Sequence, residues 1–258
     1  MVVFFDIDGT IVDDATQIIP DSCVRAVEQL RDNGHIPVIN SGRPFTHIDP
    51  RIRKLAFAGW VCGCGMEVRL GDQWLMRTQP TPEMCALARR AVRECGLQVL
   101  YETADGGILL DGEFSADPQG LEEVERLRKK GVFVAQIEDH PQFLKFVTFD
   151  DTGDRQAFLE KITPWFTAID RGGGMLEIMN KGCSKAAGME LLLSRLGIPG
   201  EETLAIGDST NDLTMFRMAA HTACMGNGME ELKRESEFIT DTVLHDGIEK
   251  ALRHFGLI

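Results

Sequence analysis

The chain has 258 residues, of which 43% are hydrophobic and 26% are charged, a composition typical of one large or two modest globular domains. The 40 Asp and Glu residues outnumber the 27 Lys and Arg residues and give a formal net charge of −13. So acidic a chain repels phosphate backbones, which argues against a nucleic-acid partner, and a site for an anion needs a metal ion or a placed cation.

The N-terminal elements predict a parallel strand–helix–strand unit. Val2–Phe5 is an apolar run of strand formers without alternation, which is typical of a buried parallel strand. Asp21–Asn33 has the apolar spacing of a helix and is followed by Gly34, and Ile36–Ile39 is a second apolar strand. Short connections favour a right-handed crossover between the two strands.

The middle of the chain, residues 82–180, has a different pattern. Turn sequences at 104–107 and 171–174 indicate antiparallel pairing of their flanking strands. The predicted helices are Glu83–Cys95, Pro118–Lys130 and Arg155–Ile162. The predicted strands are Leu97–Tyr101, Gly107–Asp111, Phe143–Phe149, Trp165–Ile169 and Met175–Met179.

The C-terminal part returns to alternating helices and parallel strands. The predicted elements are a helix over Ser184–Leu196, strands over Thr203–Ile206, His221–Met225 and Phe238–Ile239, and a last helix over Gly247–Phe255. We therefore predict an α/β fold, with a Rossmann-like, doubly wound parallel sheet as its core. The core comprises residues 1–81 and 181–258, and an α+β domain of residues 82–180 is inserted into it.

The sequence also bears on location. No segment approaches the ~20 apolar residues of a membrane-spanning helix. Asp6 and Asp8 come too early for the apolar core of a signal peptide. We expect a cytoplasmic protein with no membrane partner, acting as a monomer or weak homodimer, and its seven cysteines are expected to be reduced thiols.

Three predicted strands run into small, polar or acidic residues at their carboxyl ends. The three segments are Asp6–Thr10, Asn40–Arg43 and Gly207–Asp212. Because ligands of open parallel sheets bind outside the carboxyl ends of the strands, we expect these segments to form one site.

The acidic residues of these segments predict a metal–phosphate centre. Asp6 and Asp8 point the same way if the first strand continues through Ile7, and Asp208 and Asp212 add to their mutual repulsion. A dication relieves that repulsion, and oxygen ligands without His or Cys favour Mg²⁺ over zinc. One carboxylate can then attack phosphorus while a second transfers a proton. The residues alone leave open which Asp attacks.

Cationic and neutral donors are available for the phosphate oxygens. The Ser41 hydroxyl, backbone N–H groups near Gly42 and the ammonium group of Lys185 can each donate to an anion. Lys185 lies in the first turn of a predicted helix, where anions are favoured. Arg43 either reaches the substrate or forms a surface ion pair.

Four motifs in this order resemble those of haloacid-dehalogenase-superfamily phosphatases, close to the Cof-type branch with a large α/β cap. They are DxDGT at 6–10, the strand-end serine of NSGRP at Ser41, the lysine of NKGCSKAAGMELL at Lys185, and GDSTNDLTMF at 207–216. The motifs span nearly the whole chain, with the cap between the second and third. One loop departs from the family pattern, because Cys64 stands where family members often carry Asn.

The resemblance implies a role for each matching residue. Asp6 is the nucleophile, Asp8 is the general acid and base, and Asp6, the Asp8 carbonyl and Asp208 hold Mg²⁺. Ser41, Gly42, Arg43, Lys185 and Asn211 bind phosphate or substrate. Thr10 and Asp212 support the site, Asp212 by orienting Lys185 or by reaching the metal through water.

The function implied is a Mg²⁺-dependent phosphomonoester hydrolase for a small metabolite, such as a sugar phosphate or a phosphorylated cofactor. A cap of roughly 100 residues is expected to cover the site and leave no room for a folded phosphoprotein. Two alternatives stay open at this point. One is a sugar phosphomutase of the same superfamily, and the other is a catalytically silent metabolite-binding protein.

Overall fold

The computed structural model of the chain describes residues 1–112, 118–129, 131–149 and 153–258. Lys130, the expected last residue of one predicted helix, lies outside the described residues. Contacts divide the chain into two compact units. Unit 1 comprises Met1–Arg43, Ile48–Arg77 and Ser184–Ile258, and unit 2 comprises Pro44–His47 and Thr78–Cys183. That the inserted residues 82–180 act as a cap stays a prediction.

The helices and strands are numbered here in chain order. The strands are β1 Val2–Phe5, β2 Ile36–Asn40, β3 Gly59–Cys62, β4 Glu67–Leu70, β5 Gln73–Arg77, β6 Gln98–Glu102, β7 Ile108–Leu110, β8 Val134–Gln136, β9 Lys145–Phe149, β10 Phe166–Gly172, β11 Met175–Asn180, β12 Thr203–Gly207, β13 His221–Cys224 and β14 Phe238–Ile239. The helices are α1 Asp21–Asp32, α2 Pro50–Arg53, α3 Pro82–Cys95, α4 Pro118–Lys129, α5 Arg155–Ile162, α6 Lys185–Leu196, α7 Leu213–Met218, α8 Glu230–Arg234 and α9 Gly247–His254.

Unit 1 contains a mostly parallel sheet, which confirms the predicted fold class. The strand order is β14-β13-β12-β1-β2-β3-β4-β5, with parallel pairing from β14 to β3. All four residues of β1 are buried, because this strand lies in the middle of the sheet. Continuous burial explains why its sequence is apolar without alternation.

The edge formed by β3, β4 and β5 was not predicted. These strands pair antiparallel, β3 with β4 and β4 with β5. Glycines at 59, 63, 65 and 71 interrupt the apolar pattern on which the sequence analysis depended. The short helix α2 was also missed, since four residues are too few for a helical period.

Unit 2 contains a six-stranded sheet in the order β10-β11-β9-β6-β7-β8. The hairpins β6–β7 and β10–β11 are antiparallel, as the turn sequences predicted. Strand β8 was missed, and it pairs with β7 in parallel. One face of this sheet packs against α3 and α5 through an apolar cluster that includes Val92, Tyr101, Phe146 and Phe158.

A buried ion-pair network crosses the sheet of unit 2. Lys145 and Glu177 are 4% and 5% exposed, and their Nζ and Oε1 atoms lie 2.5 Å apart. The same Nζ lies 3.1 Å from Oε1 of Glu102, its direct neighbour across β6 and β9. Arg171 approaches the other oxygen of Glu177 at 3.6 Å. Removing one partner therefore leaves a buried charge poorly compensated.

We expect Glu177→Ala to lower the free energy of unfolding by about 3 kcal/mol, because Lys145 keeps its charge and loses its shorter contact. Urea unfolding measures this loss. The matched control is Asp170→Ala in the same sheet, which breaks the more exposed pair between Asp170 of β10 and Arg155 of α5 and is expected to cost less than about 1 kcal/mol. Equal losses for the two variants would show that burial contributes nothing here.

No helix among the described residues is both long enough and apolar enough to cross a membrane.

Candidate active site

The polar strand ends predicted from the sequence lie at one edge of the sheet in unit 1. Strands β12, β1 and β2 are adjacent and parallel, so their carboxyl ends meet at the same edge. Asp6 directly follows β1, Ser41 follows β2 and Asp208 follows β12. Residues up to about 200 positions apart in sequence are therefore neighbours.

Three carboxylates converge at this edge. One oxygen each of Asp6, Asp208 and Asp212 lies within 4.8 Å of the other two. Asp6 and Asp212 are 4% and 0% exposed. The Nζ atom of Lys185 lies 2.6 Å from Oδ1 of Asp6 and 2.5 Å from Oδ1 of Asp212. The structure thus brings together the acidic cluster and the lysine that the motifs indicated.

The electrostatics of this cluster favour an additional positive charge. Burial raises the pKa of Asp6 to about 7, with Lys185 opposing that rise. Burial, followed by the charges of Asp6 and Asp212, raises the pKa of Asp208 to about 9. Burial by itself lowers the pKa of Lys185, but the carboxylates of Asp212 and Asp6 outweigh it and raise that pKa above its ordinary value. One ammonium group does not neutralise three carboxylates.

Helix α6 places Lys185 in the cluster. The Ser184 hydroxyl accepts a hydrogen bond from the backbone N–H of Ala187 at 3.0 Å, which caps the helix so that Lys185 becomes its first residue. Lys185 is 2% exposed. The side chain of Asn40 donates to the Lys185 carbonyl oxygen at 3.2 Å. Sequence analysis placed Asn40 in the site segment Asn40–Arg43 but gave its side chain no role.

Asp212 has two structural partners besides Lys185. Its Oδ2 atom accepts hydrogen bonds from the backbone N–H groups of Asp208 and Ser209, at 3.0 and 3.1 Å. The side chain of Asn211 accepts from the Ser209 hydroxyl at 2.8 Å. Asp212 therefore contacts both Lys185 and the loop after β12.

Arg43 forms an ion pair with Asp8, one of the two alternatives that the sequence left open for Arg43. The guanidinium group of Arg43 donates to both carboxylate oxygens of Asp8, from Nε at 2.7 Å and also from Nη2. The Ser41 hydroxyl accepts from the backbone N–H of Arg43 at 3.2 Å. Arg43 thus contacts the expected acid–base residue, and its side chain is 26% exposed.

The loop after β1 approaches Asp208 closely. Gly9 has a φ of +71°, and a Cβ atom there would overlap the Asp208 carboxylate. The Thr10 hydroxyl lies 3.4 Å from Oδ1 of Asp208. The side chain of Asn227, which follows β13, donates to the Gly9 carbonyl at 2.7 Å, and sequence analysis missed this residue. Glycine is required at position 9 by both the backbone angle and the space.

Cys64, the departure from the family pattern, has a left-handed backbone with φ of 54°. Asn tolerates this conformation better than other residues with side chains, which explains why Asn is common there. The backbone N–H of Cys64 donates to the Ser41 carbonyl at 3.2 Å. Cys64 is 1% exposed. The loop therefore supports the Ser41 segment through its backbone.

The donor set of the cluster suits a hard divalent cation. Its candidate ligands are carboxylate oxygens, and they are close enough to share one ion. Burial and the neighbouring carboxylates raise the pKa values of Asp6 and Asp208, and an added positive charge would oppose that rise. The residues present therefore fit a metal ion.

Comparisons with known proteins agree with this geometry. Residues 3–252 match the haloacid dehalogenase-like hydrolase family. The putative phosphatase YkrA of Bacillus subtilis (strain 168) is 27% identical over 99% of this chain and 98% of its own length. The 5-amino-6-(5-phospho-D-ribitylamino)uracil phosphatase YcsE of the same organism is 26% identical over 99% of this chain and 95% of its own length.

Solved structures show the same fold. The structure of BT1666 from Bacteroides thetaiotaomicron, described among phosphatases of the haloalkanoate (HAD) superfamily, has a TM-score of 0.85 to this chain. It is 25% identical, and the match covers 100% of this chain and 95% of that one. The resemblance drawn from the four motifs is thereby confirmed. The chain belongs to the haloacid dehalogenase-like hydrolase family and is a hydrolase of the phosphatase type.

Proposed function

We propose that this chain is a Mg²⁺-dependent phosphomonoester hydrolase that forms an aspartyl-phosphate on Asp6. The observation that carries the proposal is the placement of Asp6, buried at the end of β1, hydrogen-bonded to Lys185 and within metal-sharing distance of Asp208. No other carboxylate of the cluster combines a strand-end position with this pairing.

Asp6 and Asp208 are the side chains that would hold Mg²⁺, together with the backbone carbonyl of Asp8. Mg²⁺, when bound, supplies positive charge to the phosphate oxygens and screens the approach of one anion to another. We give Asp212 the role of holding Lys185 and the loop after β12, which its contacts to both support.

The first step transfers the phosphoryl group to Asp6. A carboxylate oxygen of Asp6 attacks phosphorus, and the bond from phosphorus to the alcohol oxygen breaks. A protonated Asp8 gives its proton to the departing alkoxide. Lys185 neutralises charge beside Asp6, and the Ser41 hydroxyl and nearby N–H groups donate to phosphate oxygens.

The second step releases phosphate. Asp8, now ionised, removes a proton from water, which attacks phosphorus and breaks the bond to Asp6. Arg43 donates to both oxygens of Asp8 in the structure. A proton on Asp8 replaces one of these contacts, so Arg43 has to give up part of its pairing whenever Asp8 acts as an acid.

A sugar phosphate or another small polyhydroxy phosphate ester is the substrate class we favour. YcsE, by its name, acts on 5-amino-6-(5-phospho-D-ribitylamino)uracil, which carries its phosphate on a ribityl chain. An acidic chain with a net charge of −13 disfavours large polyanions. We assign the selection of the leaving group to residues 82–180, in the role of a cap.

The test measures phosphate released from p-nitrophenyl phosphate and from a panel of sugar and polyol phosphates. We expect chelation to lower the rate at least 100-fold, and Mg²⁺ to restore it better than Zn²⁺, because the ligands are oxygens. Activity that survives exhaustive chelation would contradict the metal assignment. Formation of an isomerised ester without free phosphate would indicate a mutase.

A further inference from the structure

Asn40 is a buried polar residue that the proposed chemistry does not use. It is the last residue of β2 and 0% exposed. Its Nδ2 atom donates to the backbone carbonyl of Lys185 at 3.2 Å. Its Oδ1 atom is buried and accepts no hydrogen bond from the residues that the structure describes. The orientation of the amide is determined by chemistry, because the reverse orientation places two acceptors against each other.

This arrangement is costly for stability. A buried acceptor without a donor loses its hydration without compensation. The carbonyl of Lys185 lies in the first turn of α6, where the helix itself supplies a donor. The Lys185 carbonyl therefore does not depend on Asn40 for a hydrogen bond. A protein with an apolar side chain of the same shape at position 40 would be at least as stable.

The benefit of Asn40 lies in the direction that it imposes on α6. Two close contacts already set the distance of this helix from its neighbours: a Cβ atom at Gly188 would overlap Val61, and one at Gly65 would overlap the Ser184 carbonyl. Such packing contacts restrict distance and leave rotation about the helix axis less restricted. The hydrogen bond from Asn40 to the Lys185 carbonyl is directional, and it therefore restricts rotation of the helix at Lys185.

Rotation at Lys185 matters because its ammonium group reaches two carboxylates at once. The contacts to Asp6 at 2.6 Å and to Asp212 at 2.5 Å both depend on where the backbone of Lys185 lies. We propose that Asn40 is a positioning residue, which orients the first turn of α6 so that Lys185 stays on the nucleophile Asp6. This inference rests on the proposed function of Asp6 and Lys185.

The test separates stability from turnover. Asn40→Leu keeps the shape of the side chain and removes its polar atoms, and Asn40→Ala serves as a second variant without added bulk. We expect both to keep KM for p-nitrophenyl phosphate within about three-fold while kcat falls about ten-fold or more, because a small displacement of Lys185 weakens charge neutralisation at Asp6. The melting temperature of the Leu variant is expected to equal or exceed that of the unchanged protein. A merely structural role predicts the opposite, a lower melting temperature with unchanged kcat.

Ser22→Ala is the matched control. Ser22 lies on α1 in the same unit, is buried and has a hydroxyl that also lacks a partner. We expect this variant to keep or raise the melting temperature with kcat unchanged. The proposal is overturned if both Asn40 variants keep kcat within two-fold, or if Ser22→Ala lowers kcat as much as they do. Absence of phosphate release by the unchanged protein would instead contradict the proposed function.

Discussion

Asp6→Asn is expected to lower kcat for p-nitrophenyl phosphate by roughly 10⁴-fold, the scale of loss when a residue that acts directly in the reaction is removed. An amide oxygen does not attack phosphorus at a useful rate, while the shape of the side chain is kept. Burial raises the pKa of Asp6 to about 7, so its ionised form is costly in the folded protein. Neutral Asn avoids that cost, and we expect the melting temperature at pH 8 to stay the same or rise.

Steady-state kinetics and thermal unfolding measure the two expectations for Asp6→Asn separately. Asp32→Asn is the control, since Asp32 lies in the same unit with its side chain 66% exposed and paired with Arg31. It should leave both quantities unchanged. If kcat of Asp6→Asn stays within ten-fold of that of the unchanged protein, another group is the nucleophile, and the proposed aspartyl-phosphate on Asp6 is contradicted.

Lys185→Met is expected to lower the free energy of unfolding by about 3–5 kcal/mol in the absence of metal. Lys185 is the cation that pairs with both Asp6 and Asp212, and its side chain is 1% exposed. Its removal leaves two buried carboxylates uncompensated. Mg²⁺ should recover part of the loss, because it supplies charge to Asp6 and Asp208. We expect kcat to fall at least 100-fold.

Urea unfolding with and without Mg²⁺ tests this expectation. The control is Lys233→Met, which removes a lysine of the same unit whose partner Glu230 is 75% exposed. That change is expected to cost less than about 1 kcal/mol, with no effect of Mg²⁺ on the difference. A loss below 1 kcal/mol for Lys185→Met would mean that Asp6 and Asp212 do not depend on this ammonium group for their charge balance.

Much of the fold could be predicted because local pattern and tertiary environment agree in the central strands. Val2–Phe5 is apolar throughout, and the structure buries it on both faces. Ser184 and Gly197 mark the ends of α6 by a cap and a left-handed glycine, both readable in the sequence. The strand Gly59–Cys62 was missed because Gly59 and the glycines that follow the strand interrupt the apolar pattern. Its pairing with β2 and β4 depends on the tertiary structure.

The candidate site divides in a similar way. Asp6, Ser41, Lys185 and Asp208 could be named from motifs, since each follows a strand or begins a helix. Their partners could not. The pairing of Arg43 with Asp8 depends on the conformation of two loops 35 residues apart. The contact of Asn40 with Lys185 joins a strand to a helix that lies 145 residues further along the chain.

The sequence by itself determined the class of fold, the family and the kind of chemistry, because apolar periodicity and motif residues are local properties of the chain. The tertiary structure decided how the charges are shared. It pairs Lys185 with two carboxylates and Arg43 with Asp8. It also leaves Oδ1 of Asn40 without a donor among the described residues. Such pairings depend on distances between distant segments and on burial, and neither quantity is encoded in any single stretch of residues.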